Sequence, residues 1–138
     1  MKINEVPQDD VFDYSAGIKK GNYALDDNGK YVMVPSKGWV IDEQINKMAY
    51  DEYHDKVEET RKAVLAGQQS PLSYYMELRQ MTPKILGQTA GIATFRVKRH
   101  LRPEIFIRLS DSILDKYAKA LAIKREDLKT VPRNSYER

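Results

Sequence analysis

Between Lys84 and Arg108 the chain carries six Lys/Arg and a single acid, Glu104, the densest basic stretch of its 138 residues. Arg96, Lys98, Arg99 and Arg102 crowd into one short part of it. A guanidinium pairs in a bidentate way with O6 and N7 of guanine, whereas contacts to phosphate fix position without carrying sequence information. Arg99 is therefore the candidate for reading a base edge, and Lys98 and Lys84 are candidates for phosphate contacts. Thr82, Thr94, Arg96 and Arg102 complete the expected DNA-binding set together with Phe95. The Phe95 ring has two possible destinations, the core or a thymine methyl group, and the core is the favoured one.

Other chemistries find little to work with. The chain has no cysteine and two histidines, His54 and His100. His100 with Glu104 and His54 with Glu58 are each a lone His–carboxylate pair four residues apart, which makes a poor metal site. No metal or cofactor is expected, and His100 is read as a half-buried group hydrogen-bonded to a backbone carbonyl. No Gly-x-Ser-x-Gly or phosphate-binding glycine loop occurs, nor paired carboxylates in a pocket-like context, so the chain is not expected to be an enzyme.

The elements that must position the basic stretch are mostly helical. Thr82-Pro83 reads as a cap followed by proline at the first helical position, where its missing N–H costs nothing. The helix it opens is interrupted by Ala90-Gly91, with Gly91 suited to a left-handed residue and Ile92 to a plug into the core. A further helix is expected from about Thr94 to Leu101, burying Val97 and either His100 or Leu101, with Pro103 as its stop. Thr94 is expected to cap it, and Ala90 to be small where the two helices cross. Upstream, Ser70 caps a helix through Leu72, Tyr75, Met76 and Arg79, ending near Gln80. From Asp42, the expected cap, to Ala66 a long helix places Ile45, Met48, Ala49, Tyr53, Val57, Thr60 and Val64 on one face. Glu43, Asp51, Asp55, Glu58 and Glu59 lie opposite; Arg61 and Lys62 suit its last turn and Gly67 its end. Asn28-Gly29, between runs rich in β-branched and aromatic residues, predicts a tight hairpin turn over about 22–34. The first twenty residues, with Ile3, Val6, Val11, Phe12 and Ile18 at no clear period, read as an arm that docks in part.

Two short helices meeting at a glycine turn are the pattern of a helix-turn-helix, whose second helix enters the major groove. Residues 70–128 resemble the helix-turn-helix domain of the phage-repressor and Cro (XRE-like) superfamily. The resemblance rests on Thr82, Leu86, Gly87, Ala90-Gly91-Ile92 and Val97 at the family's spacing. It extends to Leu114–Ile123, similar to the family's closing Ala-x-Ala-Leu-x-aliphatic box, and to Arg125–Leu128. Ala93 stands where the family prefers Ser or Thr, Pro83 where it commonly has Gln, and His100 where it has an aliphatic residue. The resemblance implies a five-helix domain and DNA recognition through helix 94–101.

Charge supports the same division. Residues 1–66 hold nine Lys/Arg against thirteen Asp/Glu, and residues 67–138 fourteen against seven, so the halves carry −4 and +7. A basic half joined to an acidic one points to a polyanion-binding face. The expected organisation is mainly α: an arm over 1–67 with hairpin and long helix, a helix-turn-helix domain over 68–130, and a flexible tail over 131–138. No apolar run reaches the 18 or so residues that span a bilayer, and Met1–Asp10 does not read as a signal peptide, so a cytoplasmic protein is expected. The expected function is sequence-specific double-stranded DNA binding in transcriptional regulation. One recognition helix reads too few base pairs to stand out in a genome, so a homodimer is expected, joined through helix 42–66 or the hairpin. The alternative is a helix-turn-helix-fold protein-interaction module, an antitoxin or adaptor that does not read DNA and works through its acidic half.

Overall fold

The computed structural model describes residues 1–8 and 20–134. Val11, Phe12 and Ile18 of the expected arm, the Glu43 side chain, and residues 135–138 lie outside the described residues. Helices dominate the described residues, beside one small antiparallel sheet, so the class is mainly α. The chain packs as two units, Met1–Glu52 and Tyr53–Arg138. Their boundary falls inside the long helix rather than at the composition change near residue 67.

In the first unit, β1 (Lys20–Leu25) pairs with β2 (Tyr31–Ser36), Tyr23 facing Met33 and Ala24 facing Val32. The turn is wider than Asn-Gly predicts. Gly29 takes the left-handed conformation, at φ 74°, and Asn28 does not. Asp26 closes the loop instead, its carboxylate accepting the N–H groups of Asn28 and Lys30, each at 2.9 Å. Residues before the hairpin are tied to it. The Leu25 N–H donates to the Met1 carbonyl, Ser36 Oγ to the Pro7 carbonyl at 2.6 Å, and Gln8 Nε2 to the Pro35 carbonyl at 2.8 Å. Val6, Ala24 and Ser36 are buried, while Tyr23, Tyr31 and Met33 stand in solvent.

Helix α1 runs Val40–Leu65, beginning two residues before Asp42, the expected cap. Its apolar stripe behaves differently along its length. Ile45 and Met48 are 61% and 73% exposed, whereas Val57 is fully buried and Tyr53 and Val64 are partly so. Gly67, at φ 76°, ends the helix as its position predicts, with the Gln68 N–H returning to the Ala63 carbonyl. Arg61 does not decorate the last turn. It is buried, forked onto Glu58, and donates Nη1 to the Pro132 and Arg133 carbonyls at 3.2 and 2.9 Å. Residues 131–133 are thus docked, with Val131 packed against the core, where a free tail is expected from 131.

The second unit adds α2 (Pro71–Leu78), α3 (Pro83–Ala90), α4 (Thr94–His100), α5 (Pro103–Phe106), α6 (Asp111–Leu121) and α7 (Arg125–Leu128). Residues 68–130 therefore hold six helices where five are expected. The addition is α5: Pro103 stops α4 but also serves as the first residue of a short new turn. Leu72, Leu86, Ile92, Val97, Phe106, Leu114, Tyr117, Leu121 and Leu128 form one buried cluster with Val57 of α1. Each of these helices except α2 shows the amphipathic pattern that such a core requires; α2 is buried nearly all round, from Leu72 through Met76. Its Tyr75 hydroxyl finds partners in the Asp127 and Thr130 carbonyls at 2.8 and 2.9 Å.

Candidate nucleic-acid interface

The basic stretch is presented by α3, the turn after it, and α4. Thr82 caps α3, its hydroxyl accepting the Ile85 N–H at 3.2 Å, and Pro83 takes the first helical position. Gly91 ends the helix in the left-handed region, at φ 71°, and the Ile92 N–H closes back on the Gly87 carbonyl at 2.9 Å. Ile92 is then driven into the core.

The close approach lies at Gly87 rather than Ala90. A Cβ on Gly87 would stand 2.5 Å from the Ile92 carbonyl oxygen and 3.4 Å from Val97 Cγ2. That distance is below any real contact, so only glycine lets the turn fold over α3. A glycine inside a helical pattern is itself a signal of close packing.

Helix α4 is held from behind. Val97 is fully buried and His100 nearly so. Ala93 supplies no side-chain cap, and Thr94, expected to cap one residue late, is the first residue of the helix and half-buried. His100 differs from its expected role as a half-buried donor to a backbone carbonyl. It is buried, and its Nδ1 lies 2.6 Å from the Tyr117 hydroxyl of α6. Burial, then the charges of Arg96 and Arg99, hold its ring below the usual histidine range, so it is neutral near pH 7. Burial likewise raises the Tyr117 phenol. A neutral ring protonated on Nε2 can accept the Tyr117 proton at Nδ1, satisfying both groups.

A third tie comes from Ser70. It occupies the cap position of α2 but does not cap; its hydroxyl donates to the His100 carbonyl at 3.1 Å and its N–H to the Leu101 carbonyl at 3.0 Å. The end of α4 is therefore fixed to both α2 and α6. Neither Ser70 nor Tyr117 was among the residues that the sequence marks for this surface. Their partners are 30 and 17 residues away, and no local spacing announces them.

The outward surface carries the charge. Lys84, Arg96, Lys98, Arg99 and Arg102 are all exposed. None of them forms an ion pair or side-chain hydrogen bond among the described residues. At 3.6 residues per turn, Phe95 and Arg99 lie one above the other on the face opposite Val97, and Arg96 and Lys98 flank them. Phe95 is 74% exposed, which corrects its expected place in the core. Helical period turns the ring away from Val97 and His100, the residues of α4 that face the core. Arg102 lies past the end of α4, at the cap position of α5. Thr82 sits at the opposite edge, its hydroxyl used by the cap.

Chemically, this is a rigid platform with several unneutralised cations around one apolar ring. Among the described residues no cluster of three His, Asp or Glu side chains could hold a metal ion. Comparison with family models, curated proteins and solved structures finds no match to the chain.

Proposed function

We propose that this chain binds double-stranded DNA sequence-specifically and regulates transcription, with α3 and α4 as a repressor-like helix-turn-helix and α4 as the recognition helix. The observation that carries this reading is the outward face of α4, where Arg96, Lys98 and Arg99 surround Phe95 without any acidic partner. Lone cations on a solvated helix are common, but here the helix behind them is locked by Val97, Ser70 and the His100–Tyr117 pair. Such locking suits a helix that must enter a groove in one orientation. Lys84 and Lys98 contact phosphate, Arg99 reads a base edge, and Thr82, Thr94, Arg96 and Arg102 lie at the rim of the same surface. The protein acts in the cytoplasm, as a binding protein rather than an enzyme. It works as a homodimer, since paired half-sites supply the discrimination that a single recognition helix lacks.

A second reading is favoured by the first unit. Its exposed large apolar residues include Tyr23, Tyr31, Met33, Trp39, Ile41, Ile45 and Met48, on an acidic segment. Concentrated exposed apolar surface marks interaction sites. That surface serves either the homodimer or a separate basic protein partner.

Selection from a random duplex library at 50 and 200 mM salt separates the readings. Six or so phosphate contacts imply a loss of roughly a thousandfold over that range. Enrichment of a two-fold symmetric sequence is the expected result. Substitution Arg99→Ala is expected to cost about 1–3 kcal/mol on that sequence and relax selectivity at one position. Unselective binding that vanishes at the higher salt would overturn the regulator reading and leave the protein-interaction module.

A further inference from the structure

A largely exposed phenylalanine in the middle of a cationic helix face gains free energy when a binding partner covers it. Phe95 is 74% exposed, and its helix neighbours Arg96, Lys98 and Arg99 are charged. An apolar protein surface pressed on this ring would have to bury those cations without counter-charges, which is costly. A DNA major groove offers the opposite combination. Phosphates line both sides, where the flanking cations can reach them, and on its floor the thymine C5-methyl is the apolar group that a phenyl ring can cover.

We propose that Phe95 is a specificity-determining residue that recognises a thymine methyl group in the major groove, an inference that rests on the DNA-binding reading above. Phe95 and Arg99 are four residues apart on one face, about 6 Å along the helix axis. At about 3.4 Å per base pair, that spacing sets the methyl one or two base pairs from the guanine that Arg99 reads. The ring carries no hydrogen-bonding group, so it distinguishes thymine from cytosine and adenine by shape and apolar contact alone. It also makes no distinction between thymine and 5-methylcytosine at the methyl itself.

The test uses the full chain and the duplex enriched from the random library. Each thymine is replaced in turn by deoxyuridine, which removes the methyl and keeps the base pair. The expected result is one position per half-site where deoxyuridine weakens binding by about fourfold, the worth of burying one methyl group. The Phe95→Ala variant should bind the parent duplex about fourfold or more weakly and lose its response to deoxyuridine at that position. Because Phe95 packs outside the core, unchanged thermal unfolding of Phe95→Ala checks that the effect is one of recognition. Full sequence selectivity with no deoxyuridine response in the unaltered protein would overturn the role of Phe95 while leaving DNA recognition intact. Absence of any selected sequence would overturn both.

Discussion

Two glycines of the α3–α4 turn are required for different physical reasons, and substitution separates them. At Gly91 nothing lies within 4 Å of an added Cβ, but φ is 71°. Alanine there should cost about 1–2 kcal/mol from backbone conformation alone. At Gly87 an added Cβ would meet the Ile92 carbonyl at 2.5 Å, a backbone atom that cannot rotate away. Gly87→Ala is expected to cost about 1–3 kcal/mol, with the turn displaced. Urea unfolding measures both, and the two differ in a second readout. On the DNA-binding reading proposed above, Gly87→Ala should also weaken DNA binding under conditions where the variant remains folded, because α4 is re-aimed, whereas Gly91→Ala should act on stability first. Gly91 was readable from the sequence as a helix-ending glycine. Gly87 is visible as a small residue in the family pattern, but the sequence points to Ala90 for the crossing, since spacing does not say which small side chain faces the crossing chain.

The elements that hold α4 make its stability depend on pH. His100 is kept neutral in the folded protein by burial and by Arg96 and Arg99, while in the unfolded chain it titrates near 6.5. Tyr117 faces it from α6, and its own ionisation is pushed well above the range concerned. As pH falls through about 6.5 the unfolded state takes up this proton before the folded one does. The His100 contribution is therefore fully present above that pH and is lost towards the lowered folded value. The unaltered protein should lose more stability between pH 7.5 and 5.5 than His100→Leu does, as denaturant midpoints at each pH would show. Equal losses would remove His100 from the linkage. The resemblance to repressor domains marks position 100 as aliphatic, so the histidine stood out as a departure. Its partner could not be inferred, because the pairing depends on how α6 packs across α4.

Over the whole molecule, the uneven burial of α1 and the exposed hairpin face bear on assembly. Ile41, Ile45 and Met48 share one helix face and are 68%, 61% and 73% exposed. The proposed homodimer would cover them. The double substitution Ile45→Glu and Met48→Glu should then convert a dimer into a monomer in sedimentation equilibrium. It should also weaken binding to a two-fold symmetric duplex while leaving half-site binding unchanged. A dimer that survives both charges would move the interface to the Tyr23, Tyr31 and Met33 face of the hairpin. Among the described residues no helix is long and apolar enough to cross a membrane.

The helices themselves were determined by the sequence, because each rests on short-range physics. Pro71, Pro83 and Pro103 sit at first helical positions, Thr82 and Ser110 cap, and Gly67 and Gly91 terminate. The concentration of cations on one side of α4 follows as directly from helical period. Tertiary structure decided the rest. It sent the Ser70 hydroxyl to His100 instead of its own helix and used Arg61 to dock the residues after Thr130. It also left Phe95 in solvent and bared the first half of an apolar stripe that looks continuous in sequence. Period fixes which residues share a face. Whether that face is covered depends on which distant segments arrive to bury it, and local spacing holds no information about that.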